Sequence, residues 1–170
     1  LAHSDDYRAP DGKVDRTGYD SSAVIGQYRF RIDARQQLRV SLQQQRDEDV
    51  WYPGSTKPNS SPLVGATTVH SPKQERTLGE VGYSFKDTGR TPFSVDVRAY
   101  RQQMERQVFA WSDVARLDVS RTNVTFATNG VDVRADWLLN PQHLLSTGLN
   151  LWQMEASPER YLANPPAFAS

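Results

Sequence analysis

Apolar and polar side chains alternate one for one along six stretches of this chain. Val24, Gly26, Tyr28, Phe30 and Ile32 are separated by Gln27, Arg29 and Arg31, and Leu38, Val40 and Leu42 by Arg39 and Ser41. Val81, Tyr83 and Phe85 stand against Glu80, Ser84 and Lys86; Phe93, Val95, Val97 and Ala99 stand against Ser94, Asp96, Arg98 and Tyr100. Val131, Val133, Ala135, Trp137 and Leu139 alternate with Asp132, Arg134 and Asp136, and Leu145, Thr147, Leu149 and Leu151 with Ser146, Gly148 and Asn150. Successive strand residues point to opposite faces, so each stretch reads as a strand with one apolar and one polar face. On a helix the same positions would scatter by about 200° at each step. The chain is expected to be all-β.

The connections order these strands. Segments 33–37, 86–92 and 140–143 are short and rich in Asp, Gly, Asn and Pro, as tight hairpin turns require. The intervening links are longer: 49–74 carries Pro53-Gly54, Pro58, Pro62 and Pro72, 111–120 makes a second, and the tail from Pro158 through Pro165-Pro166 begins a third. Residues 1–21, with Asp11-Gly12 and Thr17-Gly18, read as a further loop. Tight turns at one end and long loops at the other describe an antiparallel up-and-down meander of about six long strands, the layout of a transmembrane β-barrel wall. Strand length agrees. A tilted strand crosses a bilayer in ~9–11 residues, and 38–50 and 93–108 exceed that.

Composition narrows the classes. Twenty Lys+Arg balance twenty Asp+Glu over 170 residues, which argues against a nucleic-acid partner. Without cysteine there is no disulfide scaffold, Cys-ligated zinc or thiol nucleophile. No apolar run approaches the ~18–20 residues of a membrane helix. Leu1 is neither an initiator Met nor the start of a signal peptide, so the chain reads as mature, trimmed or a fragment. Six strands fall short of the eight of the smallest common bacterial barrels, so the whole chain is expected to be one segment of a larger wall.

The polar face mixes Arg29, Arg31, Arg39, Arg98 and Arg134 with Glu80, Asp96, Asp132 and Asp136, which suits a lumen where opposite charges pair across strands. Tyr28, Phe30, Phe85, Phe93 and Trp137 lie towards the tight turns, and Trp51, Tyr52, Phe109, Trp111 and Trp152 towards the loops, as two aromatic belts would. This predicts one sheet in sequence order, with Val95, Val97 and Trp137 on its convex face and Asp96 and Arg98 on the other. A soluble all-β ligand-binding module is the alternative. A small outer-membrane barrel enzyme comes third: His143 and Ser146, three apart on a strand, point to opposite faces, so the chain reads as no enzyme.

Gly18-Tyr19-Asp20-Ser21-Ser22-Ala23-Val24-Ile25-Gly26 followed by Tyr28-Arg29-Phe30-Arg31 resembles part of the barrel domain of TonB-dependent outer-membrane receptors. So do Gln37-Leu38-Arg39-Val40-Ser41-Leu42-Gln43-Gln44-Gln45-Arg46-Asp47 and Gly148-Leu149-Asn150-Leu151-Trp152. The likeness covers the chain from about residue 7 onward and rests on strand texture and hairpin rhythm. It implies a Gram-negative outer-membrane location and a wall in contact with outer-membrane lipid. It further implies the rest of the barrel and a plug as partners, the TonB complex reached through that plug, and import of an iron–siderophore or similar scarce nutrient. The chain shows no TonB box, no plug, no terminal strand ending in an aromatic residue and no FRAP-and-NPNL-like pair, so haem is not the expected ligand.

In such a receptor 1–21 and 49–74 would be extracellular loops, and Trp51, Tyr52 and His70 would stack on or ligate an aromatic iron complex. Three histidines without HxH or HExxH spacing give no metal motif, and no cofactor is expected. Asn123-Val124-Thr125 fits a glycosylation acceptor pattern at an expected strand end.

Overall fold

The computed structural model describes residues 2–10, 12–87, 89 and 92–162. The expected turn over 86–92 falls partly, and the Pro165-Pro166 tail wholly, outside these residues, as does Asp11 of the Asp11-Gly12 turn. The described residues form no helix and nine strands: β1 (Ala2–Ser4), β2 (Arg8–Ala9), β3 (Gly12–Lys13), β4 (Tyr19–Arg31), β5 (Gln36–Pro58), β6 (Ala66–Asp87), β7 (Phe93–Ser112), β8 (Asp118–Asn140) and β9 (His143–Leu162). β1 and β4 to β9 make one antiparallel sheet in the order β1-β4-β5-β6-β7-β8-β9, and β2 pairs only with β3. The expected meander of six long strands is therefore observed, with β1 added at the β4 edge. Among the described residues the sheet is open: β9 forms the other edge and does not pair with β1 or β4.

Three expected loops are shorter than their sequences suggest. β5 and β6 reduce the 49–74 link to 59–65, because its proline and glycine signals fall on bulges as well as on a loop. Pro53-Gly54 sits where the register jumps between Tyr52 and Lys57, and Pro72 where it shifts between His70 and Gln74. A proline is tolerated in a strand where the ladder is already interrupted. The 111–120 link likewise contracts to 113–117, and Pro158 lies inside β9, on an edge strand where a missing N–H costs least. The N-terminal 1–21 segment contains three short strands and the first residues of β4.

No second layer covers the sheet among the described residues. The buried apolar side chains are Val64, 8% exposed, and Ala135, 9%. The apolar rows are open instead, with Val40 at 50% and Leu42 at 58%. On the opposite face, neighbouring charged side chains cover one another: Glu80 is 13% and Asp132 24% exposed. Exposure alone does not separate the faces, since Val97 and Val133 are half-buried and Arg98 and Arg134 exposed; what differs from a water-soluble globule is that no layer packs over the apolar face among the described residues.

Candidate functional site: the two faces and their loop-end cluster

Register fixes what each face carries. One apolar row runs Phe30–Leu38–Tyr83–Val97–Val133–Leu149 and the next Tyr28–Val40–Val81–Ala99–Val131–Leu151. Beyond these the apolar band does not follow the rows. One step towards the loops, Gly26, Leu42 and Gly79 give way to Arg101, Asn129 and Gln153. Towards the turns, Asp87 leads into Phe93, Trp137 and Leu145. Between β4 and β9 the band slides by about three to four residues, or ~10–14 Å, over five strand gaps of ~4.8 Å each. Its slope of roughly 25° to the ladder has the sense of a tilted barrel wall but is shallower than the ~35–45° typical of barrel strands. Near the turns it carries an aromatic contact, Phe85 with Phe93 at 5.4 Å between centroids.

The other face is charged. Arg39 pairs with Glu80 at 2.8 Å, Arg98 with Glu80 at 3.4 Å and with Asp132, and Arg134 with Asp136 at 3.1 Å. Asp96 and Arg98 share this face, opposite Val95, Val97 and Trp137. A groove of about 620 Å³ opens along it, lined by Arg29, Arg39, Asp96, Arg98, Asp132 and Arg134 among others. This fits a sheet that curls around its charged side chains.

At the loop end the strands bring Trp51, His70, Phe109 and Arg121 into one row across β5 to β8. Trp51 and His70 stack at 4.3 Å with planes 14° apart, and Trp111 and Phe109 meet them edge-on at 6.3 and 5.7 Å. His70 Nε2 lies 2.7 Å from Asp118 Oδ1, both side chains nearly buried, and Arg121 approaches the same carboxylate at 3.6 Å. The Arg16 guanidinium lies 4.5 Å from the Trp51 ring centre. Tyr52 points the other way, into the charged face, where its hydroxyl accepts from Gln74 Nε2 at 2.9 Å and Arg106 at 3.3 Å.

The three candidate ligand residues thus divide. Trp51 and His70 form a stack whose rings already have partners, and Tyr52 joins a polar cluster on the opposite face. Arg16, Gln74, Arg106 and Asp118 complete these groups and were not legible in sequence, because bulges shift the face parity and His70 and Asp118 lie far apart in the chain. The upper aromatic belt is also corrected. Phe109 lies ten residues beyond Ala99, ~33 Å along β7, with polar Arg101, Gln103 and Glu105 between. Trp152 pairs with Gly130 in mid-sheet, away from the loops.

The remaining candidates are dispersed. His143 pairs with Asn140 and Ser146 with Asp136, and no hydrogen bond joins His143 to Ser146 among the described residues. Asn123-Val124-Thr125 lies inside β8, not at its end. Among the described residues no three His, Asp or Glu side chains gather as metal ligands would.

Near the N-terminus, Asp6 accepts from the Gly18 and Thr17 N–H groups at 2.8 Å each and pairs with Lys13 at 3.0 Å. The Gly18 N–H, then Lys13 and the Thr17 N–H, lower its carboxyl pKa from 3.8 to about 2. The hydrogen bond to Asp20 first, then that to Asp5, raises the His3 imidazole above 6.5.

No family model matches the chain. No curated protein is similar to it in sequence.

Proposed function

We propose that this chain is part of the barrel wall of a TonB-dependent receptor in a Gram-negative outer membrane, importing an iron–siderophore or a similar scarce nutrient and catalysing no reaction itself. The observation that carries this reading is the single-layered sheet: its apolar band is uncovered and oblique, while its charged face carries cross-strand ion pairs and a groove. A wall between lipid and a hydrated hollow has this arrangement. A water-soluble module would need a second layer over Val40, Val81, Val131 and Leu151, and none is present among the described residues. Outer-membrane lipid would meet the band, the rest of the barrel would continue from β4 and β9, and a plug inside would reach the TonB complex. The loop-end extensions, with Tyr52, Gln74 and Arg106 on the inner face, would form the ligand vestibule.

Lipid contact is tested with single-tryptophan versions of the 170-residue chain in vesicles of brominated phospholipid. Trp137 fluorescence should be quenched several-fold more than that of Trp111. Equal quenching, or a chain that stays monomeric in buffer without detergent, would overturn the wall assignment. The importer assignment has its own test in the coding sequence flanking the chain. A plug domain upstream supports it, and an unrelated domain there removes it.

A further inference from the structure

The ion pairs of the charged face form a relay across the sheet. Arg39 on β5 reaches Glu80 on β6, Arg98 on β7 joins Glu80 to Asp132 on β8, and Asn150 on β9 donates to Asp132. Arg39 crosses over Gly82, where an added Cβ would stand 3.4 Å from its guanidinium. Charge therefore alternates in sign from β5 to β8. The alternation breaks at β4, because Arg29 stands directly opposite Arg39. Like charges in that position repel. Arg31 follows two residues on, and by strand parity points to the same face.

Neither the Arg29 nor the Arg31 side chain makes a hydrogen bond or ion pair among the described residues, and Arg39 Nε is buried without a partner. The adjoining groove is lined by Arg29, Arg39, Arg98 and Arg134 against only Asp96 and Asp132.

We propose that Arg29, Arg31 and Arg39 form a binding site for a small oxyanion of the phosphate or carboxylate class, at the β4 end of the groove. An anion between Arg29 and Arg39 restores the alternation and turns a repulsive pair into a bridged one. Guanidinium groups suit this role, since their planar N–H forks match the oxygens of phosphate and carboxylate. The site lies on the face opposite the apolar band and far from Trp51 and His70. It stands whether that band meets lipid or another protein surface.

The test is calorimetric titration of the 170-residue chain, folded in maltoside micelles, with inorganic phosphate. Saturable one-site binding is expected, with citrate competing and added sodium chloride weakening it. R29Q/R31Q should lose at least tenfold in affinity. R29K, which keeps the charge but not the fork, should fall between that variant and the unsubstituted chain. R134Q, whose guanidinium Asp136 already holds, should lose less than twofold. Circular dichroism checks that each variant keeps its strand signal. The proposal is overturned if the folded, unsubstituted chain shows no saturable binding, or if R134Q loses as much as R29Q/R31Q. Bromolipid quenching is read separately, so failure here leaves the wall assignment untouched.

Discussion

Gly130 faces Tyr100 across the β7–β8 ladder, and a Cβ there would stand far inside van der Waals contact of the tyrosine Cζ. Its missing side chain is the space that the ring occupies on the charged face, next to Arg98. Gly130→Val should displace the ring and destabilise the sheet by about 1–3 kcal/mol, as overpacking does elsewhere; denaturant unfolding of the micelle-bound chain measures it. Two N-terminal groups respond to pH with opposite signs. The folded Asp6 pKa lies below its unfolded value, so its contribution is complete above about pH 4 and fades as pH falls towards 2. The folded His3 pKa is raised, so the His3–Asp20 contact between β1 and β4 contributes fully below pH 6.5 and is lost as pH rises through the folded value. Hydrogen exchange of peptides covering residues 2–19 should therefore be slowest, relative to the intrinsic rate, between these limits. Protection rising without a break from pH 5 to 9 would contradict the His3 assignment.

Strands are more legible in this sequence than the joints between them. Alternation gives the central parts of β4 to β9, since a period of two admits no helical reading. Alternation already parts Tyr52 from Trp51, but it does not reveal the irregularity near Asp49 that exchanges the faces, so that Tyr52, even-numbered like Val40 and Leu42, turns to the charged side. Proline carries the same ambiguity: Pro62 lies in a true loop, whereas Pro53, Pro72 and Pro158 lie within strands. What joins neighbouring hairpins was hidden too. The 59–65 and 113–117 tips lock together through Ser112, whose fully buried Oγ donates to Val64 O at 2.6 Å and accepts from the Ala115 N–H at 2.9 Å. Gly65, at φ 65°, lies so close to Val114 and Asp113 that no Cβ fits. Ser112→Ala strands a carbonyl and an N–H together, at about 1–3 kcal/mol. Limited proteolysis should then cut both tips at similarly increased rates. Cleavage of the 113–117 tip alone would show that the hairpins are independent.

Over the whole molecule, the alternation identifies two chemically different faces but not the line along which one solvent gives way to another. Only the pairing register shows that line, because it sets Leu42 on β5 and Gln153 on β9 in the same row. If the apolar band follows a bilayer crossed by tilted strands, residues of one row lie at different depths. Leu42 is then within hydrocarbon and Gln153 beyond it. An arginine on the lipid face costs about 2–4 kcal/mol at the midplane and ~0–1 near the interface. Leu42→Arg should consequently destabilise the chain in phospholipid vesicles by at least ~1 kcal/mol more than Gln153→Arg, and the difference should shrink in maltoside micelles, which adapt to the protein. If the two substitutions cost the same in vesicles, the band follows the ladder and not a membrane plane. If both stay within ~0.5 kcal/mol of zero, as ordinary surface changes do, the exposed rows do not meet lipid.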